Sequence, residues 1–366
     1  MRVGNVILTT LATFLSSGTI SLAIPTPNGW SPHSNSSTLK NGACLKPAQR
    51  REWRTLSKAE QKEFVDAIKC MRGLPHDPKL TPTGGTPGLP PVNTSSSLYD
   101  DFVYTHMDAS IPAHYNALFL PFHRWIIDAF RKALTEKCGY PGEIPYWNWT
   151  LDVGNYSASP VFGSDKDSGL GTIGNPQANF TVTDGTIASD IRPYPNPHMI
   201  QRPYTEHPYR NANATIRAFR NPELSVSEIL NSKVVDGIIA GSDGNFTDFL
   251  TVLQGPTEQG VHGAGHAVVG GDMTSEFWSP NDPLFFLHHT MIDCIWAKWQ
   301  DRSLANTWAF GGGLNQNQTA DFAFPFGVGP PANLASMVPT VGMTRPVAVW
   351  EVMSTRSEYL CYECAW

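Results

Sequence analysis

Charge is scarce in this chain. Lys, Arg, Asp and Glu make up 16% of its 366 residues, and 26 basic against 32 acidic side chains leave a formal charge of -6. That balance excludes the basic footprint of a nucleic-acid binder. Long apolar runs are missing too: beyond the first two dozen residues no segment holds the roughly 20 apolar residues that a membrane span needs. There is no Ser/Gly linker between globular halves and no internal repeat, so nothing in the sequence divides the chain.

The one apolar stretch stands at the start. "MRVGNVILTTLATFLSSGTISLA" has a basic Arg2, an apolar middle and a small-x-small end, Ser21-Leu22-Ala23. This reads as a secretory signal over residues 1–23, leaving one domain over 24–366 and a secreted, extracellular protein. Eight N-x-S/T sequons (Asn35, Asn93, Asn148, Asn155, Asn179, Asn213, Asn245 and Asn317) and six cysteines suit an oxidising compartment and a glycoprotein. Asn148, set between two tryptophans, is expected to be too buried to carry a glycan.

Gly and Pro are plentiful, 31 and 30 residues, which points to long loops. Between them lie clear helices. In "SKAEQKEFVDAIKCMRGLP", Ser57 and Glu60 form a capping box, and Phe64, Ile68 and Met71 recur at helical spacing before Gly73-Leu74-Pro75. Residues 96–107 form a second helix. "LPFHRWIIDAFRKALTEK" is the strongest, with Pro121 in its first turn. Short helices follow at "SVSEILNSK" and "NFTDFLTVLQG", then a last long one in "DPLFFLHHTMIDCIWAKWQDR". Residues 149–224 read as a long loop system and "RPVAVWEVM" as a strand. The expected fold is mainly α, a helical core with irregular decoration.

Seven of the 11 histidines cluster: 106, 114 and 123, then 262, 266, 288 and 289. His33, His76, His198 and His207 are read as ordinary polar residues. His262 and His266 stand four apart on one helical face, able to address a single ion. A zinc protease would need Glu directly after His262, where Gly263 stands. His288 and His289 point about 100° apart around a helix, so only one can reach that ion. His114 and His123, nine apart, would lie on opposite faces of one continuous helix; both can bind one metal only if His114 precedes the helix. Two all-imidazole groups point away from Ca, Mg and structural zinc, and towards copper or catalytic zinc.

The run from His106 through His114 to "FLPFHRW", followed by "HGAGH" and "NDPLFFLHHTMID", resembles the paired copper motifs of the type-3 copper proteins, the tyrosinase, catechol oxidase and haemocyanin group. "CGYPGEIPYWNW" and "EYLCYECAW" resemble flanking segments of short secreted fungal members. The resemblance implies a four-helix bundle with copper A on His106, His114 and His123. Copper B would lie on His262, His266 and His289, with His288 and Asp293 in supporting positions. It also implies two copper ions, O2 as co-substrate and a small phenolic substrate. The activity implied is oxidation of o-diphenols to o-quinones or, as the alternative, full tyrosinase action on monophenols.

Gly263 and Ala267 each follow a copper-B ligand, so the resemblance puts them at the entrance, where small side chains admit a flat ring stacking on His266. Two glycines cost a helix about 2 kcal/mol, tolerable at a functional site; Gly265 serves either this access or close helix packing. Phe285, four residues before His289, lies on the copper-B side or simply in the core, and tryptophans 147, 149, 296 and 299 belong to the core. Family members that hydroxylate monophenols well often carry Asn at the Gly263 position, sharing a water with an upstream Glu. Upstream here are only Gln254, which cannot take a proton, and Glu258, so no catalytic base can be placed. That favours catechol oxidation with weak or restricted monophenol hydroxylation. Pro112 stands where several fungal members have a Cys forming a thioether to the second copper-A histidine, so none is expected. Cys294 stands where Arg commonly follows Asp293.

In short fungal relatives, disulfides tie the chain ends together, which makes Cys44, Cys70, Cys361 and Cys364 candidates with pairing left open. Cys138 lies about 22 Å past His123 along an unbroken helix, and Cys294 about 7.5 Å past His289. A bond between them is not expected, and Cys294 is expected to be a buried free thiol. Long fungal tyrosinases carry a C-terminal plug; this chain stops 77 residues after His289, which implies no activating cleavage. An oxygen carrier would use the same six histidines but belongs to large assemblies. A zinc hydrolase would need a carboxylate within its ligand motif.

Overall fold

Capping signals in the sequence mark where the helices begin. A computed structural model describes residues 39–40, 43–188, 190–210, 221–255, 259–316 and 326–366. Residues 1–23, read above as a signal, most of the segment that follows them to residue 42, His33, Glu258 and the sequons at Asn35, Asn213 and Asn317 lie outside the described residues. Helix α1 (Lys58–Gly73) starts at the expected box: Ser57 N–H donates to Glu60 Oε2 at 2.7 Å, and Glu60 N–H donates to Ser57 Oγ at 3.2 Å. Helix α2 (Leu98–Asp108) has a second such box, Ser97 with Asp100.

The one-turn helix α3 (Ser110–Ala113) ends at His114, and Tyr115 takes a left-handed φ of 51°. The chain therefore reverses before α4 (Phe119–Cys138) begins. This break lets His114 and His123 face one point, as their spacing demanded. Pro121 sits within the first turn of α4, where its missing N–H costs nothing.

The loop system follows as 3-10 turns, and beyond it come α5 (Ser232–Ala240), α6 (Phe246–Gln254), α7 (Val261–Val269), α8 (Leu284–Asp301), α9 (Leu304–Thr307) and α10 (Val349–Met353). Two local readings need correction. "SVSEILNSK" has a Ser225–Glu228 capping box but forms only a 3-10 turn, Val226–Glu228; Asn231 then caps α5, accepting from Val234 N–H at 3.0 Å. In "RPVAVWEVM" only Val347–Ala348 are extended. The Glu351 carboxylate accepts the Ala348 N–H at 2.9 Å and starts α10, which overrides the β-branched composition.

Strands are short and paired in twos: β1 (Leu39–Lys40) with β2 (Ala43–Cys44), and β3 (Ala48–Arg50) with a strand from the far end of the chain. Then come β4 (Ile191–Arg192) with β5 (His198–Met199), β6 (Gly313–Asn315) with β7 (Val328–Pro331), and β8 (Met337–Val338) with β9 (Val347–Ala348). The partner of β3 is β10 (Tyr362–Cys364), and this pair is parallel.

The core gathers on α4 and α8, where Phe130 and Phe286 stack with ring centroids 3.7 Å apart. Trp147, Trp149, Trp296 and Trp299 are fully buried, as expected. The loop system is pinned to the start of α8 by a buried bidentate pair: Arg202 Nε donates to Asp282 Oδ2 at 2.7 Å and Nη2 to Oδ1 at 2.9 Å, while Asp282 Oδ1 also accepts the Leu284 N–H. Among the described residues no helix is long and apolar enough to cross a membrane.

Three disulfides close the fold: Cys44–Cys361, Cys70–Cys138 and Cys294–Cys364. Cys138 and Cys294 are indeed not joined. Cys294 is buried but it is not a free thiol, and of the four end cysteines only Cys44 and Cys361 pair with each other. The cause is β10: its pairing with β3 brings Cys364 beside α8, a long-range approach that rise along a helix cannot reveal. Exposed sequons stand at Asn93, Asn155, Asn179 and Asn245. Asn148 is half-buried rather than sealed, its Oδ1 accepting from Thr150 Oγ1 at 2.7 Å.

Candidate metal centre

The first histidine group draws on three places. His106 comes from the last turn of α2, His114 from the break after α3, and His123 from the second turn of α4. Their ligand atoms lie within 4.8 Å of one another. Each ring gives its Nδ1–H to a backbone carbonyl: His106 to Phe277 O at 2.7 Å, His114 to Ser110 O at 2.9 Å and His123 to Phe119 O at 2.8 Å. A carbonyl can only accept, so these bonds fix the tautomer and leave each Nε2 as a lone pair. The Nε2 atoms of His106 and His123 are buried without a protein partner.

The second group spans α7 and α8. His262, His266, His288 and His289 bring ligand atoms within 4.8 Å of one another. His266 Nδ1–H donates to Met273 O at 2.7 Å, and its Nε2 lies 3.0 Å from His289 Nε2. The Nε2 of His262 is a buried orphan. His288 differs, because its Nε2–H is already given to the His262 carbonyl at 3.0 Å. Buried imidazole nitrogens gathered in this way are the donor set that a soft-to-borderline divalent or cuprous ion takes, and among the described residues no carboxylate or thiolate joins either group. The residues fit a pair of copper ions.

The two groups touch. His123 and His289 stack with centroids 4.1 Å apart and planes 9° from parallel. Phe285, fully buried, lies 4.3 Å from His289 and 5.0 Å from His106, so it serves both groups rather than one. Phe119 matches it, 4.5 Å from His123 and 4.6 Å from His262. Sequence reasoning missed Phe119, yet the signal was there: Phe119–His123 repeats the four-residue offset of Phe285–His289.

Burial is the main force on every one of the seven imidazoles and pushes each below its ordinary pKa, His288 to about 3. Above about pH 6.5 such a group adds nothing to the pH dependence, since folded and unfolded chains are both neutral. As the pH falls below that value the unfolded chain takes up protons the fold refuses. Stability then drops by up to about 1.4 kcal/mol per pH unit for each group. The copper-free protein is therefore expected to lose melting temperature steeply between about pH 6.5 and 5. Calorimetry across that range checks this, and an unchanged transition would contradict it.

Gly265 now has one explanation. A Cβ there would stand 2.2 Å from His288 Cε1 and 2.6 Å from its Nδ1, so close packing of α7 on α8 requires glycine. Gly263, His266 and Ala267 form the half-buried face of the same helix. Gln254 is buried at the end of α6. His76 and His198 are satisfied by Asp101 at 2.6 Å and Asp272 at 2.8 Å, as ordinary polar residues.

One turn beyond His289, Asp293 anchors a buried cluster. It accepts from Arg50 Nη1 at 2.6 Å, from Arg124 Nε at 2.5 Å and from the Tyr362 hydroxyl. Arg124 stacks on Trp296 at 3.6 Å and Arg50 on Tyr362 at 3.4 Å. Where the sequence has Cys294 in place of a neighbouring Arg, cations from α4 and β3 hold the carboxylate instead.

Residues 96–302 match the family described as the common central domain of tyrosinase. A tyrosinase-like protein of Diaporthe leptostromiformis is 31% identical over 342 residues, covering 90% of this chain and 81% of that protein. The N-acetyl-6-hydroxytryptophan oxidase of Emericella nidulans is 32% identical over 348 residues, covering 86% and 91%. Among solved structures, a Gly-to-Asn mutant of a polyphenol oxidase from Thermothelomyces thermophila superposes with a TM-score of 0.65 at 25% identity, covering 87% of this chain and 89% of that one. The shared central domain and the kinship along most of its length, meeting two histidine groups built for copper, place this chain in the tyrosinase family of type-3 copper proteins, as a tyrosinase-like copper oxidoreductase.

Proposed function

We propose that the chain is a secreted oxidase converting o-diphenols to o-quinones, with weak or restricted monophenol hydroxylation. Two catechols would yield two quinones while O2 is reduced to two waters. His106, His114 and His123 would hold copper A, and His262, His266 and His289 copper B. His288 is left outside the ligand set: its Nε2–H is committed to the His262 carbonyl and its Nδ1 edge faces Gly265. When bound, the coppers supply O2 activation and accept two electrons. The chain supplies position and shelter: Phe119 and Phe285 keep water from the imidazoles, and Gly263 and Ala267 leave room for a ring over His266. The three disulfides fit an oxidising compartment, and the sequence of residues 1–23 supports export.

The observation that carries the preference for catechols is Gly263. A phenol must lose its proton to react, and a base must lie within hydrogen-bond reach; glycine on the half-buried face of α7 offers neither a base nor a group to hold water. A second reading, monophenol hydroxylation as the main activity, draws support from the Emericella relative, whose named substrate carries a single ring hydroxyl. Oxygen uptake by the two-copper protein, with 4-methylcatechol and 4-methylphenol side by side, tests this. Prompt uptake is expected with the catechol only, and Gly263→Asn is expected to shorten the lag with the monophenol. Equal uptake with both in the parent protein would overturn the preference.

A further inference from the structure

The Nδ1–H bonds that orient the imidazoles are of two kinds. His114 and His123 bond to Ser110 O and Phe119 O, each four residues earlier, so their own turns of chain hold them. His106 and His266 instead reach outside their helices, to Phe277 O and Met273 O, both at 2.7 Å. One short segment between α7 and α8 thus orients one imidazole of each group. Its backbone is irregular. It leaves α7 through Gly270 and Gly271, at left-handed φ of 77° and 56°, and contains two 3-10 turns, Gly271–Thr274 and Ser279–Asn281. Ser110 Oγ and the Tyr99 hydroxyl donate to its Glu276 and Pro280 carbonyls at 3.2 and 2.8 Å. Its two ends are joined through side chains: Asn281 Nδ2 donates to Asp272 Oδ1 at 3.0 Å, and both residues are buried. The same amide donates to Tyr194 O at 2.8 Å, and acceptors on both sides fix its orientation. Asp272 Oδ1 also receives the His198 Nε2–H from β5 at 2.8 Å, while His198 Nδ1–H goes to Asn196 O at 2.8 Å. With an acceptor at each ring nitrogen, His198 stands as an imidazolium facing the carboxylate. Met273 follows Asp272 directly, so whatever holds that carboxylate also holds the carbonyl that orients His266.

We infer that Asp272 and Asn281 are positioning residues: by tying the ends of residues 272–281 they orient His106 and His266 together, and so couple the two copper sites. This rests on reading those two imidazoles as ligands of separate coppers. Cutting the tie loosens both carbonyls at once. Each imidazole then loses the bond that keeps its proton on Nδ1, and a ring with its proton on Nε2 has no lone pair there for a metal. Losing such support costs a ligand site about 10–100-fold in metal affinity. Here the loss falls on both sites, while His114 and His123, held by their own turns, keep their orientation.

The test uses the full chain with three substitutions. Asp272→Ala removes the acceptor, Asn281→Asp replaces the donor by an acceptor at unchanged size, and Asp272→Asn keeps a carbonyl that can still accept from Asn281. In the copper-free protein, imidazole nitrogen NMR is expected to show His106 and His266 passing from a single Nδ1–H tautomer to a mixture in the first two variants. His114 and His123 should keep theirs, and Asp272→Asn should keep all four. Copper titration is expected to show affinity falling about 10–100-fold at both sites together in the first two variants, and staying near the parent's in Asp272→Asn. Should Asp272→Ala not fold, the isosteric Asn281→Asp carries the test. Unchanged tautomers at His106 and His266 in a folded variant, equal disturbance of all four rings, or weakening at one copper site alone would overturn the inference. A parent that binds fewer than two coppers would instead sink the ligand assignment, and the tautomer comparison would still decide the role of the tie.

Discussion

Replacing Gly265 by alanine is expected to lower copper content from two ions per chain towards one and to cut catechol oxidation by roughly 10–100-fold, the usual scale for disturbing the support of a metal ligand. The added methyl would stand 2.2 Å from His288 Cε1. That ring cannot swing aside freely, because it is fully buried and its Nε2–H is held by the His262 carbonyl at 3.0 Å. Either the ring moves and releases the backbone beside His262, or α7 moves off α8 and carries His262 and His266 with it. Alanine favours helix by about 1 kcal/mol over glycine, while overpacking a tight core costs about 1–3 kcal/mol. The clash wins, and it falls on the centre. Copper analysis with oxygen uptake measures it, and the double variant with His288→Ala should couple strongly to the single one if this clash is the cause.

Asp293→Ala is expected to produce the largest loss of stability, about 3–5 kcal/mol by denaturant unfolding, because it leaves buried cations without their partner. Arg50 and Arg124 are both fully buried, and Arg124 follows His123 directly in the chain. Arg124 still has the carbonyls of Val352 and Met353, at 3.1 and 2.8 Å, while Arg50 keeps the Tyr362 ring and the more distant Glu143 carboxylate at 3.6 Å. Tyr362→Phe removes one hydroxyl from the same carboxylate and should cost about 1–2 kcal/mol. Similar losses for the two variants would mean that the ion pairs contribute little beyond packing.

Much of the centre is legible in the sequence because its signals are local. The four-residue step from His262 to His266, the break needed between His114 and His123, and the diverging neighbours His288 and His289 follow from helix geometry alone. The Ser57–Glu60 box marked α1 for the same reason. What stayed hidden depends on distant approaches. The pairing of Cys294 with Cys364, the hold of Arg50 on Asp293 and the closeness of His288 to Gly265 each need two segments brought together by the whole fold. Residues 345–353 failed for another reason: a single carboxylate, Glu351, outweighed the composition of the stretch around it.

The Cys44–Cys361 bond has a topological consequence. It joins the two ends of the described chain across nearly all of its length, enclosing the long loops over 149–224 within one covalent ring. A single cut anywhere in those loops turns the ring into one linear, still connected molecule. The histidine groups on either side of the cut stay tethered, so a nicked protein separates into two pieces only after its disulfides are reduced.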